Sequence, residues 1–158
     1  MKFTFADALR LVACIIVSEL AGFIGSIFTI SSIPTWYAML NKPVFNPPAW
    51  VFAPVWTFLY LLMGISLFLV WRVGAGNKKA VISFFAQLSL NVVWSVVFFG
   101  FRSPLAGLIV IVLLWLAIVL TMASFSRLSR PAVLLFVPYV MWVSFAAILN
   151  LSVVLLNP

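Results

Sequence analysis

Five long apolar runs, at about residues 9–30, 49–71, 79–99, 105–125 and 132–155, alternate with short polar breaks along the chain. Each run is long enough to cross a bilayer, since a spanning helix needs about 20 residues. In hydrocarbon every backbone amide needs a partner within its own segment, so the runs are predicted to be helices. Ser31-Ser32-Ile33-Pro34 is expected to end the first, and Gly74-Ala75-Gly76-Asn77-Lys78-Lys79 forms a polar turn after the second. Pro104 and Pro131 stand early in the fourth and fifth helices, where the first N–H groups lack intrahelical partners anyway. Pro54 and Pro138 fall near the starts of the second and fifth, so any kink is expected near a membrane face. The first run exceeds the ~7–15 residues of a signal-peptide core and is expected to remain as the first helix. The pattern predicts an all-α membrane protein: a five-transmembrane-helix bundle forming one domain over residues 1–158.

Between the first two runs lies a different tract, Trp36-Tyr37-Ala38-Met39-Leu40-Asn41-Lys42-Pro43-Val44-Phe45-Asn46-Pro47-Pro48-Ala49-Trp50. It is rich in Trp, Tyr and Pro and nearly free of charge. That makes it a poor membrane span and an unusual solvated loop. It is expected to fold over one mouth of the bundle, above a site for something large and flat.

Composition supports the membrane reading. Apolar residues make up 66% of the chain and charged residues 7%, against roughly 25% charged in soluble domains. A small soluble domain could not hide that much apolar surface. The formal charge of +7 does not indicate nucleic acid, because the Lys and Arg residues are scattered over short connections and form no stripe. They sort by side. Lys2, Arg10, Arg72, Lys78, Lys79, Arg127 and Arg130 fall on one side of the alternating spans, and Lys42 and Arg102 on the other. Positive loops stay cytoplasmic, which predicts the N-terminus inside, and the C-terminus and the Trp/Pro-rich tract outside. The single cysteine, Cys14, reads as a small buried apolar residue.

Polar residues inside a membrane are expensive and need a partner or a role. The third run carries Ser83, Gln87, Asn91 and Ser95 at four-residue steps, on one helical face, with Trp94 beside them. The fifth carries Trp142, Ala146 and Asn150 at the same spacing, with Tyr139 and Phe145 nearby. The second carries Trp56, Tyr60 and Gly64. Converging, these stripes would wall a pocket for a planar apolar ligand with π faces and a few amides. The same spacing also serves ordinary helix packing, and each stripe alone leaves both readings open. Glu19 is the one acid deep in a span. It could couple protons, meet a basic ligand group, bond to a neighbouring helix or reach out to a membrane face. Ser18, Gly22 and Ser26, with Ala21 and Gly25, form small-residue ladders suited to close packing, either within the bundle or in a homodimer.

With no His and one Cys, neither a haem ligand nor a zinc site is expected, and no cofactor. No hydrolytic set, paired carboxylates or phosphate-cradling loop occurs. Any catalysis would rest on Trp and Tyr, and binding is expected ahead of catalysis.

The motifs together resemble a known family. Trp36-Tyr37-x-x-Leu40-x-Lys42-Pro43-x-Phe45-x-Pro47-Pro48-x-Trp50, Pro54-Val55-Trp56-x-x-Leu59-Tyr60-x-x-Met63-Gly64, Gln87-x-x-x-Asn91-x-x-Trp94-Ser95 and Pro138-Tyr139-x-x-Trp142-x-x-Phe145-Ala146-x-x-Leu149-Asn150 are similar to the translocator protein family (TspO/MBR, tryptophan-rich sensory proteins). Gly22-x-x-Gly25-Ser26 fits as well, and the short uncharged C-terminus points to a prokaryotic member. The resemblance implies a five-helix bundle, commonly a homodimer, whose first long loop closes the ligand cavity. It implies binding of porphyrins such as protoporphyrin IX and of synthetic benzodiazepine or isoquinoline-type ligands. The ligand-binding set it suggests is Trp36, Trp50, Trp56, Tyr60, Asn91, Trp94, Tyr139, Trp142, Phe145, Ala146 and Asn150. Porphyrin carboxylates would face the loop, within reach of Lys42. Some bacterial members degrade protoporphyrin in light, which by motif would make Trp56 and Trp142 catalytic. A porphyrin transporter is a further alternative. The run after Leu149-Asn150 lacks the tyrosine and the basic residue of the animal cholesterol motif, so high-affinity cholesterol binding is not expected.

Overall fold

The structure, a computed structural model, describes residues 3–74 and 77–158. Lys2 and the Ala75-Gly76 part of the expected polar turn lie outside the described residues. Five helices form, and no strand occurs among the described residues. They are α1 (Phe5–Ser32), α2 (Ala49–Gly74), α3 (Lys78–Ser95), α4 (Pro104–Ser126) and α5 (Arg130–Leu156). All five are long and apolar enough to cross a membrane. They form a ring in which α1 packs on α2, α2 on α5, α5 on α4, α4 on α3, and α3 back on α1. Outward side chains such as Leu9, Ile16, Leu20 and Phe23 on α1, and Leu105, Ile109, Leu116 and Leu120 on α4, are exposed. In this apolar chain they are the surface that lipid would cover.

The two ends of the bundle differ. At the basic end, Thr4 and Asp7 form a reciprocal cap at the start of α1. Asp7 lies 3.8 Å from Arg72 near the end of α2, and Arg72 sits over the rings of Phe3 and Phe68. Above this end the core is solid. Phe84 of α3 stacks on Phe125 of α4, centroids 6.3 Å apart. Phe136 of α5 meets Phe125 edge-on at 5.5 Å. All three are fully buried, and none of them lines either of the two cavities described below.

Close helix contact explains the small residues. A Cβ on Gly64 would lie 2.6 Å from the Cα of Ile15, so α1 and α2 touch backbone to backbone there. A Cβ on Gly22 would lie 2.5 Å from the Tyr60 ring. Ser18, Ala21 and Gly25 are buried within the bundle. Ser18, Ala21 and Gly25 of these ladders thus face the interior of this chain.

The first helix ends later than the sequence expectation. Ser31-Ser32-Ile33-Pro34 does not end the first helix, because α1 runs on through a π-helical turn, Ile33–Tyr37. Pro34 lacks an N–H and its ring crowds the carbonyl one turn back. A wider turn relieves that crowding and lets the helix continue. Trp36 and Tyr37 are thus helical, and the true connection is residues 40–48. At the same end, α3 also finishes in a π-helical turn, Val96–Gly100. Ser32 joins the two, its hydroxyl donating to the Phe99 carbonyl at 2.9 Å.

Candidate functional site

The connection closes one end of the bundle through specific bonds. Tyr37 is buried among Phe52, Phe98 and Phe99, and its hydroxyl donates to Asn46 Oδ1 at 2.7 Å. Phe45 reaches across to Phe145 of α5, centroids 6.2 Å apart. Asn41 and Asn157 clasp each other. The Asn41 N–H donates to Asn157 Oδ1 at 3.0 Å, and Asn157 Nδ2 donates to the Asn41 carbonyl at 2.9 Å. Lys42 caps the end of the first helix. Its ammonium donates to the carbonyls of Tyr37 and Leu40 at 2.8 Å and of Ala38 at 3.1 Å. The last turn of a helix leaves carbonyls unsatisfied, and a cation there completes them. The Lys42 ammonium thus stands at the helix end and is not part of the cavity wall described below.

Beneath the connection lies a cavity of about 490 Å³, within the ~300–1,000 Å³ typical of ligand sites. Three helices wall it. Helix α1 presents Gly22, Gly25, Ser26 and Thr29. Helix α2 presents Phe52, Trp56 and Tyr60, and α3 presents Asn91, Trp94 and Phe99. The α1 wall is less polar than its composition suggests, since Ser26 and Thr29 donate back to the Phe23 and Gly25 carbonyls of their own helix. Phe23, Ile30, Ala49, Ala53 and Thr57 also line the cavity while exposed to the outside. It therefore opens on the flank of the bundle between α1 and α2.

A second space, about 20 Å³, lies toward α5 and is lined by Trp142, Ala146, Leu149 and Asn150. It shares Phe52, Trp56, Trp94 and Phe99 with the larger cavity. These rings form a partition. Trp56 packs on Trp94 at 6.3 Å and on Tyr60 at 5.8 Å, and Trp94 stacks on Phe98 at 5.4 Å. The small chamber could hold roughly one water.

Buried polar groups around the partition are bonded into two chains. Tyr60 Oη donates to Asn91 Oδ1 at 2.6 Å, Asn91 Nδ2 to Tyr139 Oη at 2.8 Å, and Tyr139 Oη to Gln87 Oε1 at 2.9 Å. This links α2, α3 and α5. Trp94 Nε1 donates to Asn150 Oδ1 at 3.2 Å, and Asn150 Nδ2 to the Pro104 carbonyl at 2.8 Å, which adds α4. One group is left out. Trp142 Nε1 is buried and, among the described residues, is the buried side-chain nitrogen or oxygen without a partner.

The residues singled out from sequence divide as follows. Trp56, Tyr60, Asn91 and Trp94 line the large cavity. Trp142, Ala146 and Asn150 line the small chamber. Tyr139 is fully buried behind Trp56 and reaches the cavity through its bond to Asn91. Phe145 packs on Trp142 and Phe45, and Trp36 packs edge-on against Phe98, and neither Phe145 nor Trp36 lines either space. Trp50 is 75% exposed and also lines neither. What the sequence stripes missed is α1 as a wall. Its signal was present in Gly22, Gly25, Ser26 and Thr29, but small residues at helical spacing read first as packing.

The fold and cavity define a multi-pass helical membrane protein with an internal site bounded by tryptophans. The chain belongs to the TspO/MBR family, which residues 14–156 match. It is 51% identical over 155 residues to the tryptophan-rich protein TspO of Chlorobaculum tepidum, covering 95% of this chain and 97% of that protein. It is 47% identical over 152 residues to the TspO of Archaeoglobus fulgidus, covering 96% and 99%. Against the human translocator protein the figure is 37% over 139 residues, covering 85% and 82%. The greater similarity to bacterial and archaeal relatives fits a prokaryotic member.

Proposed function

We propose that the protein binds planar apolar ligands of the tetrapyrrole class, such as protoporphyrin IX, and senses, sequesters or moves them within the membrane. The observation that carries this reading is the 490 Å³ cavity with an aromatic wall of Trp56, Trp94, Tyr60 and Phe99 and an amide at Asn91. Flat rings stack on such a wall, and the amide fixes orientation. The flank opening between α1 and α2 would admit a ligand already dissolved in lipid. Trp142 would join the site when the Trp56–Trp94 partition swings aside, its free N–H then meeting a ligand acceptor. Benzodiazepine and isoquinoline-type compounds would use the same wall, and a homodimer is the proposed assembly. The charge bias supports a topology with the N-terminus cytoplasmic and the closed end outside. The test is quenching of tryptophan fluorescence by protoporphyrin IX. Trp56→Ala and Asn91→Ala are expected to weaken binding roughly tenfold or more, the scale of one stacking or hydrogen-bond contact. Unchanged affinity in both removes the pocket assignment.

A second reading, light- and oxygen-dependent porphyrin breakdown, is favoured by one observation. Trp56 lies within 6.3 Å, centroid to centroid, of Trp94, Tyr60 and Tyr139, a set of oxidisable rings in series. Illumination with protoporphyrin IX would then convert the Soret band to that of a defined product. Bleaching that survives Trp56→Phe and Trp142→Phe argues against chemistry directed by the protein.

A further inference from the structure

The floor of the large cavity carries an acidic side chain that the porphyrin reading does not use. Glu19 lines it, half-buried, near the middle of α1. Along α1 the wall runs from Glu19 to Ile33, about 21 Å at 1.5 Å per residue. Ile33 lies near the closing connection, so Glu19 lies at the far, deep end. Tyr60 and Asn91 share that depth, but neither serves the carboxylate, because the Tyr60 hydroxyl is committed to Asn91 Oδ1. Both ion pairs among the described residues belong to Asp7. No side-chain hydrogen bond among the described residues ends on Glu19. The cavity wall contains no Lys or Arg, although the chain as a whole carries +7.

A carboxylate in apolar surroundings at membrane depth is costly unless a donor or a cation meets it. Elsewhere in the core buried polar side chains are met from within the protein, as by Asn91, Tyr139 and Gln87, save for the Trp142 N–H. At Glu19 it is left for whatever occupies the cavity. We propose that Glu19 makes the cavity selective for apolar aromatic ligands that carry a protonated amine, whose N–H groups its carboxylate accepts. The same carboxylate repels anionic groups from the floor, so a porphyrin would enter with its propionates turned toward the mouth. This rests on the reading of the cavity as a ligand site.

The test uses the full chain in lipid nanodiscs at neutral pH and three probes that share one ring system. They are 9-(aminomethyl)anthracene as the cation, 9-(hydroxymethyl)anthracene as the neutral form and 9-anthracenecarboxylate as the anion. Binding is read by tryptophan quenching. The wild type is expected to bind the cation about tenfold more tightly than the alcohol, the scale of a charge-assisted hydrogen bond, and the anion least. Glu19→Gln is expected to equalise the three while keeping the alcohol's affinity, and Glu19→Asp to keep the order. Equal binding of all three by the wild type, or an order that persists in Glu19→Gln, overturns the proposal. Protoporphyrin IX is titrated in the same preparation. Porphyrin binding without amine preference defeats this inference alone, whereas no binding of any probe or of porphyrin defeats the cavity reading with it.

Discussion

The cavity beside α1 and the chamber beside α5 share the Trp56–Trp94 partition, yet one holds about 490 Å³ and the other about 20 Å³. The difference lies in what faces the shared rings. On the α1 side stand Gly22, Gly25, Ser26 and Thr29, which are small and whose hydroxyls turn back onto their own helix. On the α5 side stand Trp142, Leu149 and Asn150, and Asn150 draws α3 and α4 inward through two bonds. Small side chains leave space only where something else holds the helices apart. Here the Gly64–Ile15 contact pins α1 to α2, and the buried hydrogen-bond chain fixes α2, α3 and α5.

The strongest way to break the contrast is at the pin. Gly64→Val puts a side chain where backbone now sits 2.6 Å away, and is expected to destabilise by about 3 kcal/mol. Loss of monodisperse protein on size exclusion, or a matching fall in melting temperature, checks it. Next is Asn91→Ala, which orphans the buried Tyr60 hydroxyl and removes a donor from Tyr139. A loss of about 2 kcal/mol is expected, measured by thermal unfolding in detergent. Asn150→Ala removes the bonds to Trp94 and Pro104 and enlarges the small chamber. It should lose about 1 kcal/mol while giving Trp142 greater access to an acrylamide quencher.

A paired experiment sharpens the comparison between the two indoles. Trp94→Phe gives up a hydrogen bond and should lose about 1 kcal/mol. Trp142→Phe gives up an N–H that has no partner, so its loss should be smaller and confined to packing. The smallest effect is expected from Asn157→Ala, roughly 0.5 kcal/mol at an exposed clasp. Its readout is faster amide exchange over residues 40–48 with little change in melting temperature.

The five spans were legible because lipid demands long apolar runs and leaves little ambiguity of length. The aromatic and amide stripes on α2, α3 and α5 were legible from four-residue spacing, and they do converge on the Trp56–Trp94 partition. Two things were not legible. Periodicity reports which residues face inward but not whether the space between them is filled, so the α5 stripe gave no warning that its chamber is almost closed. Pro34 looked like a stop because a proline signal carries no information about a wider turn that tolerates it. That misjudgment turned Trp36 and Tyr37 from helix into loop.

The two π-helical turns, Ile33–Tyr37 and Val96–Gly100, stand side by side and are bridged by Ser32 and Phe99. Each amounts to one surplus residue in a helix that otherwise keeps regular pitch. Deleting that residue from either would rotate everything beyond it by about 100°. In one case Tyr37 would swing off Phe98 and Phe99, and in the other those rings would swing off Tyr37. Chain length at these two places is therefore fixed in phase.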